Sequence, residues 1–237
     1  MKAILIDSSA SACSVCVTTD KVVTGHSYVS MDRGHASAII PMIESTMKDA
    51  KTHFEELRFV AVTKGPGSFT GLRVSLAAAK AIALSNNIPL FGLSCFDAIA
   101  SRVQNNRNLP PTDILLIVIE SKREELYVEC RDKRGTKIIE SQALSIPEIV
   151  GRFESLYQPG ESVRIAGDAG VLLVEAVGEI IKPNGPAFNE DLLGVDALDI
   201  TTTKEYWDLF NSAANLGYTY QVDLNYLRKP DVSIPKK

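Results

Sequence analysis

Histidine, the side chain that most often binds metals in proteins, is scarce in this sequence. The three histidines, His26, His35 and His53, are far apart, and the residue one helical turn after His35 is Ile39. A zinc or iron site on a single helix needs two histidines four residues apart, so that pattern is missing. We therefore expect no metal site, and we expect His35 to cap a helix or to lie at an interface.

Cysteine is almost as rare as histidine. Of the four cysteines, only Cys13 and Cys16 have the Cys-x-x-Cys spacing of zinc and redox sites, and no second such pair exists. Both lie in a segment predicted to be a strand, where residues three apart point to opposite faces and cannot easily share a metal or a disulfide. We expect buried thiols in a reducing cytoplasm.

Long apolar runs and an excess of positive charge are also missing. No run approaches the roughly 20 residues of a membrane-spanning helix, and the N-terminus reaches Asp7 too soon for the apolar core of a signal peptide. The formal net charge of −4 gives no basic field that would attract nucleic acid or an anionic membrane. We expect a cytoplasmic protein that reaches RNA only through a partner.

What the sequence does have is one order of elements that occurs twice. Apolar periodicity predicts three strands, a helix, a strand and a helix in the first half, and the same order after the proline-broken linker 105–112. The predicted strands are Ala3–Asp7, Cys13–Thr18, Val22–Val29, Arg58–Lys64, Pro89–Gly92, Asp113–Ile119, Glu125–Cys130, Lys137–Leu144 and Ser162–Ala166, and the predicted helices are His35–Lys51, Gly71–Asn86, Cys95–Gln104, Pro147–Tyr157, Gly170–Ile181 and Thr203–Gly217.

This repeated order predicts an α/β protein with two tandem ribonuclease-H-like lobes, as in the actin-like and sugar-kinase-like (ASKHA) ATPases. In those ATPases the nucleotide lies between the two repeats. We place the N-terminal lobe at residues 1–108 and the C-terminal lobe at 109–225, with an irregular segment over 183–198. Residues 226–237 are predicted to form a mobile basic tail.

A glycine-rich turn, residues 63–73, joins a predicted strand to a predicted helix. Glycines in such a turn let backbone N–H groups approach a phosphate at the positive end of a helix. The spacing Gly-x-Gly-x-x-x-Gly nevertheless matches neither the dinucleotide fingerprint nor the Walker A loop, and Ser68 lacks the surroundings of a nucleophile elbow. We favour a tight, closely packed turn slightly over phosphate binding by Ser68 and Thr70.

A second set of residues would complete a nucleotide site of this fold. Asp7 ends the first predicted strand and Ser8 follows it, where an ATPase of this fold would hold metal and phosphate. The second half should repeat an acid and glycines, but Glu120 is followed by the glycine-poor stretch 121–124. The rival interpretation, a small-molecule kinase or ATPase with Asp7 and Glu120 on magnesium, is therefore disfavoured. Asp7, Ser8, Ser68, Thr70 and Glu120 are only weak nucleotide candidates.

The two helices beside the glycine turn carry unusually large apolar surfaces. The first has an apolar stripe at helical spacing, and the second is apolar nearly all round, which requires burial on more than one side. In a chain of this length we favour contact with another protein over simple burial in a large core. On this basis Ile43→Asp or Ala78→Arg should leave the fold intact and abolish pairing. The predicted contact residues are Ile39, Ile43, Met47, Leu72, Ala78 and Ile82, with Arg33, His35 and Arg73 nearby.

Several motifs together resemble one bacterial family over nearly the whole chain. They are the segments 4–9, 64–73, 125–127 and 226–228, and His35 with Ile40-Pro41. These are similar to the TsaB (YeaZ) family, a subunit of threonylcarbamoyladenosine biosynthesis. The block Gly-Pro-Gly-Ser-Phe-Thr-Gly-Leu-Arg is the most specific of them.

The resemblance implies a non-catalytic paralogue of TsaD, which transfers a threonylcarbamoyl group to adenosine 37 of tRNAs reading codons that begin with A. It implies pairing with TsaD through a four-helix bundle, or with a second copy in a homodimer, and it implies that the ATPase TsaE joins. ATP and magnesium would be used by the complex, with no strong binding by the isolated chain.

The motifs also bear on enzyme activity and on two rival interpretations. Ile39 stands where TsaD carries the second histidine of a metal pair, so a lone His35 argues against metalloprotease activity. Glu120-Ser121-Lys122 departs from the Asp-Ala-Arg common in the family, which loses the bidentate geometry of arginine. The remaining alternative is a self-dimerising binding protein with no part in tRNA modification.

Overall fold

The computed structural model describes residues 1–20, 22–181, 186–188, 195–204, 206, 208 and 221–227. Within them the chain forms two five-stranded sheets with the same topology. This confirms the predicted α/β fold with two tandem lobes. None of the helices in these ranges is long and apolar enough to cross a membrane.

The first half of the chain forms the first sheet and three helices. The strands are β1 (Lys2–Asp7), β2 (Ala12–Thr19), β3 (Val22–Ser30), β4 (Leu57–Thr63) and β5 (Leu90–Leu93), and the helices are α1 (His35–Asp49), α2 (Phe69–Asn86) and α3 (Cys95–Asn105). The sheet order is β3-β2-β1-β4-β5. Strands β1 to β3 are antiparallel, whereas β4 runs parallel to both β1 and β5.

The second half repeats this arrangement. The strands are β6 (Ile114–Ile119), β7 (Leu126–Asp132), β8 (Lys137–Leu144), β9 (Val163–Ala166) and β10 (Ala187–Phe188), and the helices are α4 (Ile146–Leu156), α5 (Val171–Ile180) and α6 (Ala197–Ile200). The order β10-β9-β6-β7-β8 places β6 at the centre, as β1 is in the first sheet. Both central strands are apolar without alternation because both of their faces are covered.

The alternating side chains of each central strand contribute to two different cores. Ile4 and Ile6 of β1 pack beneath α1 and α2, whereas Ala3 and Leu5 pack against α6 and Tyr206 on the other face. In the second sheet, α4 and α5 cover one face of β6, and α3 covers the opposite face. Helix α3 of the first half therefore packs against the second sheet, and α6 of the second half packs against the first.

Arg131 reinforces the attachment of α3 to the second sheet. Its guanidinium donates to Asp97 Oδ1 on α3 at 2.5 Å and to Glu129 Oε1 on β7 at 2.6 Å. Lys137 Nζ lies 2.8 Å from the other oxygen of Glu129. Glu129 is fully buried, so these cations compensate a carboxylate that would be costly to leave unpaired.

The four cysteines are free and buried, as predicted. Cys13 belongs to the core under α1 and α2, whereas Cys16 belongs to the core under α6, which places the two thiols on opposite faces of β2. Burial raises the pKa of Cys13 to about 11 and that of Cys16 to about 12, so both remain protonated thiols at neutral pH.

The structure differs from the sequence-based prediction near the C-terminus. The segment 183–198, expected to be irregular, contains β10 and the start of α6. Residues 195–204, 206 and 221–227, assigned to the second lobe or to a tail, contact the first lobe in part. Most of the predicted helix Thr203–Gly217, and residues 228–237, lie outside the described residues.

Candidate functional site

The glycine-rich turn packs directly on the turn between β1 and β2. The Ser68 amide donates to the Ser9 carbonyl oxygen at 2.6 Å. A Cβ on Gly67 would overlap that carbonyl, and a Cβ on Gly71 would overlap the carbonyl oxygen of Ser8. Glycine is needed at both positions because two backbone segments approach this closely.

The hydroxyl groups predicted to meet a phosphate are used within this junction. Ser8 Oγ donates to the Gly71 carbonyl oxygen at 2.7 Å, and Ser68 Oγ caps α2 by accepting from the Gly71 amide at 3.2 Å. Thr70 is exposed on the first turn of α2. These close contacts between the two turns support the interpretation as a tight, closely packed turn.

Asp7 is enclosed where an ATPase of this fold would hold its metal. Its Oδ1 accepts hydrogen bonds from Thr63 Oγ1 and, at 3.2 Å, from the Ser9 amide, whereas its Oδ2 has no partner. The side chain is fully buried, and burial raises the pKa of Asp7 to about 6. In this structure the carboxyl group of Asp7 is therefore closed off from solvent.

Glu120 does not join Asp7 in the structure. Its carboxylate accepts from Lys122 Nζ at 2.5 Å, and its backbone amide donates to Asp168 Oδ1 at 2.8 Å. Asp168 is itself shielded from solvent, which raises its pKa. Within the described part of the chain, no three His, Cys, Asp or Glu side chains are grouped so that they could hold a metal ion.

Five of the predicted partner contacts are corrected by the structure. Their side chains are at most 6% exposed, because the apolar stripes of α1 and α2 face the first sheet and each other. Ile82 is half-buried against the same core. The five residues are Ile39, Ile43, Met47, Leu72 and Ala78.

Of the three residues predicted near the contact, two are exposed arginines and one is a histidine bonded to a neighbouring turn. Arg33 and Arg73 are exposed, at the start of α1 and in the first turns of α2. His35 is the first residue of α1, and its Nε2 lies 3.2 Å from the Ala10 carbonyl oxygen. It thereby links α1 to the turn after β1, beside the glycine-rich turn.

The outer side of the same two helices carries exposed apolar side chains that sequence reasoning did not choose. Ile40 on α1 is 49% exposed, and Leu84 on α2 is 58% exposed. The other members of α2 recur at helical spacing along one side and are also exposed. We call this surface the α1–α2 face, and its members are Ile40, Pro41, Phe69, Ala77, Ala81 and Leu84.

The start of this face holds a cluster of two rings and a cation. The ring centroids of Phe69 and Tyr226 are 5.4 Å apart. Arg73 Cζ lies 3.7 Å from the centroid of the Phe69 ring, and Arg73 Nε donates to the Tyr226 hydroxyl at 3.3 Å. Tyr226 was expected in a mobile tail, but its contacts make it part of the folded structure.

Sequence comparison matches this chain to one family model and to relatives that share one name. The TsaD family model, described as tRNA N6-adenosine threonylcarbamoyltransferase, matches residues 28–169. A Buchnera aphidicola (subspecies Schizaphis graminum) relative, named tRNA threonylcarbamoyladenosine biosynthesis protein TsaB, is 34% identical over 52% of this chain and 56% of its own length. The protein of that name from Escherichia coli K12 is 29% identical over 63% of this chain and 64% of its own. The chain thus spans from about half to just under two thirds of these relatives.

Solved structures agree at the level of the fold. YeaZ from Pseudomonas aeruginosa superposes with a TM-score of 0.69 over 93% of this chain and 99% of the other, at 19% identity. The activator of 2-hydroxyisocaproyl-CoA dehydratase from Clostridium difficile gives a TM-score of 0.50 over 92% and 99%, at 10% identity. Together with the family match, the two similar sheets give this chain the actin-like (ASKHA) fold.

The chain belongs to the TsaD family. Its relatives and structural neighbours named TsaB or YeaZ confirm the resemblance expected from its motifs.

Proposed function

We propose that this chain is an accessory subunit in the biosynthesis of N6-threonylcarbamoyladenosine at position 37 of tRNAs reading codons that begin with A. It pairs with a TsaD-like catalytic subunit, and a TsaE-like ATPase joins the pair. The complex binds the tRNA and uses ATP and magnesium, whereas the isolated chain has no catalytic residues of its own. The names of the TsaB relatives and the family match support this proposal.

The observation that carries the proposal is the exposed apolar surface of the α1–α2 face. Large apolar side chains that remain open to water on a helix pair are typical of surfaces that bind another protein. The small residues Ala77 and Ala81 lie between the larger ones and allow a partner helix to approach closely. A helix pair of the partner would cover this side as a four-helix bundle.

The rival proposal, a small-molecule kinase or ATPase, has less support from the geometry. Such an enzyme needs an open phosphate cradle and a carboxylate that reaches the metal. Here the turn around Gly71 contacts Ser8, and Asp7 is enclosed between Thr63 and Ser9. Robust ATP hydrolysis by the isolated chain that disappears in Asp7→Ala would favour the rival.

The pairing is tested with a matched pair of leucine substitutions. Leu84 on α2 and Leu172 on α5 are exposed to similar degrees, 58% and 53%, but lie on different lobes. We expect Leu84→Asp to weaken binding to the TsaD-like subunit by about thirtyfold or more, because it places an unpaired charge in an apolar contact. Leu172→Asp should bind as the unmodified chain does.

Size-exclusion chromatography with light scattering measures both binding and self-association. A mixture in which Leu84→Asp still elutes as the full complex would contradict this interface. A chain that forms only homodimers through the α1–α2 face, without binding the TsaD-like subunit, would instead favour a self-dimerising binding protein.

A further inference from the structure

The segment 221–227 returns to the first lobe and lies along the glycine-rich turn. The Asn225 amide donates to the Lys64 carbonyl oxygen at 2.7 Å. Val222 is buried in the core under α1 and α2, and it packs so closely on Gly92 that a Cβ there would overlap it. We call this segment the C-terminal strap. Backbone bonding and core packing together fix its position.

The strap completes the environment of Arg73. Arg73 stacks on the Phe69 ring from its own helix and donates to the hydroxyl of Tyr226 from the strap. We call these three residues the Arg73 cluster. All three side chains are exposed, so the cluster is open to solvent while its members contact one another.

The guanidinium of Arg73 has no carboxylate partner among the described residues. By contrast, Arg131 pairs with Asp97 and Glu129, and Arg102 pairs with Asp199. A planar guanidinium already fixed against a ring loses little conformational freedom when it binds, and it offers two parallel N–H groups to a carboxylate.

We propose that the Arg73 cluster binds a carboxylate of the protein that docks on the α1–α2 face, with Tyr226 as a positioning residue for Arg73. The inference rests on the proposed function, because it names a charged contact at the end of that docking surface. Phe69 belongs to both the cluster and the face, so one partner can contact both. The apolar side of α2, which continues from Phe69 to Leu84, and the net charge of −4 favour a protein carboxylate over an RNA phosphate.

The proposal is tested by the dissociation constant of the full chain for the TsaD-like subunit at two salt concentrations. We expect Arg73→Gln to raise this constant about tenfold, and to reduce its dependence on salt, because an interfacial charge pair is lost. Tyr226→Phe keeps the ring but removes the hydroxyl, and it should raise the dissociation constant about threefold. In the double variant the two effects should not add, since Tyr226 acts through Arg73.

A matched control and a second variant separate this role from a change in stability. Arg152→Gln removes an exposed arginine from α4 and should alter neither the dissociation constant nor its salt dependence. Arg73→Lys keeps the charge without the planar stacking and should lie between the unmodified chain and Arg73→Gln. Melting temperatures of all variants should agree within a few degrees.

The outcomes distinguish this inference from the proposed function. If the unmodified chain does not bind the TsaD-like subunit, the proposed function fails. If it binds, and Arg73→Gln and Tyr226→Phe bind equally well with the same salt dependence, the inference is overturned while the proposed function stands. Unchanged protein binding with weaker retention of tRNA by the complex would assign the cluster to phosphate and would also overturn the inference.

Discussion

Asp7 ends β1, and its buried surroundings hold its proton more tightly than water does. The side chain is fully buried, only one oxygen is hydrogen-bonded, and burial raises its pKa to about 6. Sequence reasoning placed Asp7 at the end of the first strand, which the structure confirms. It could not show that the hydroxyl of Thr63 and the turn after β1 would close over the carboxyl group.

The raised pKa predicts how stability changes with pH. The folded state holds the Asp7 proton more tightly than the unfolded chain, whose ordinary pKa is 3.8. The stabilisation is therefore fully present below about pH 4 and is lost as pH rises through 6. The difference of about two units between the folded and unfolded pKa values corresponds to roughly 3 kcal/mol in the free energy of unfolding.

Urea denaturation across pH 4 to 8 measures this dependence. Asp7→Asn, which stays neutral, should show a smaller fall in the free energy of unfolding than the unmodified chain. Some fall should remain, because burial also raises the pKa of Asp199 to about 7. Identical pH profiles for the two proteins would contradict the raised pKa of a buried Asp7.

The helices α1 and α2 show how far periodicity can predict an element. Their positions were predicted within about two residues, and their importance for contact with a partner remains a proposal. The chosen residues were wrong because the strongest apolar stripe of a helix faces its own sheet. Periodicity shows which side is apolar, but only the packing shows that Ile43 is covered and Ile40 is open. Ile43→Asp is accordingly expected to unfold the first lobe.

Two Gly→Ala substitutions, one where the glycine-rich turn meets α2 and one within α4, should have opposite effects on stability. At Gly71 a Cβ would overlap the Ser8 carbonyl oxygen, so Gly71→Ala should destabilise by more than about 2 kcal/mol. Gly151 lies within α4 with nothing near its Cβ position, so Gly151→Ala should stabilise by up to about 1 kcal/mol.

Thermal unfolding of the two variants checks this prediction. A lower melting temperature is expected for Gly71→Ala and an equal or higher one for Gly151→Ala. If Gly71→Ala has the same melting temperature as the unmodified chain, the glycine-rich turn does not pack on the β1–β2 turn as described.

Across the whole molecule, the two lobes are joined by exchanged helices. The α3 helix of the first half covers the second sheet, and α6 of the second half covers the first. The repeated order of elements predicted two similar lobes, but β10 and α6, at two and four residues, are too short to show periodicity. The strap could not be predicted either, because its contacts with the first lobe join residues far apart in sequence.

The central claim is that this chain contributes a docking surface and no catalytic group to tRNA modification. The most direct measurement is threonylcarbamoylation of tRNA by the complex reconstituted with TsaD-like and TsaE-like subunits. We predict that Leu84→Asp abolishes modification, whereas Asp7→Asn leaves its rate within about twofold of that of the unmodified chain. The account would be contradicted if Asp7→Asn formed the complete complex and yet abolished modification.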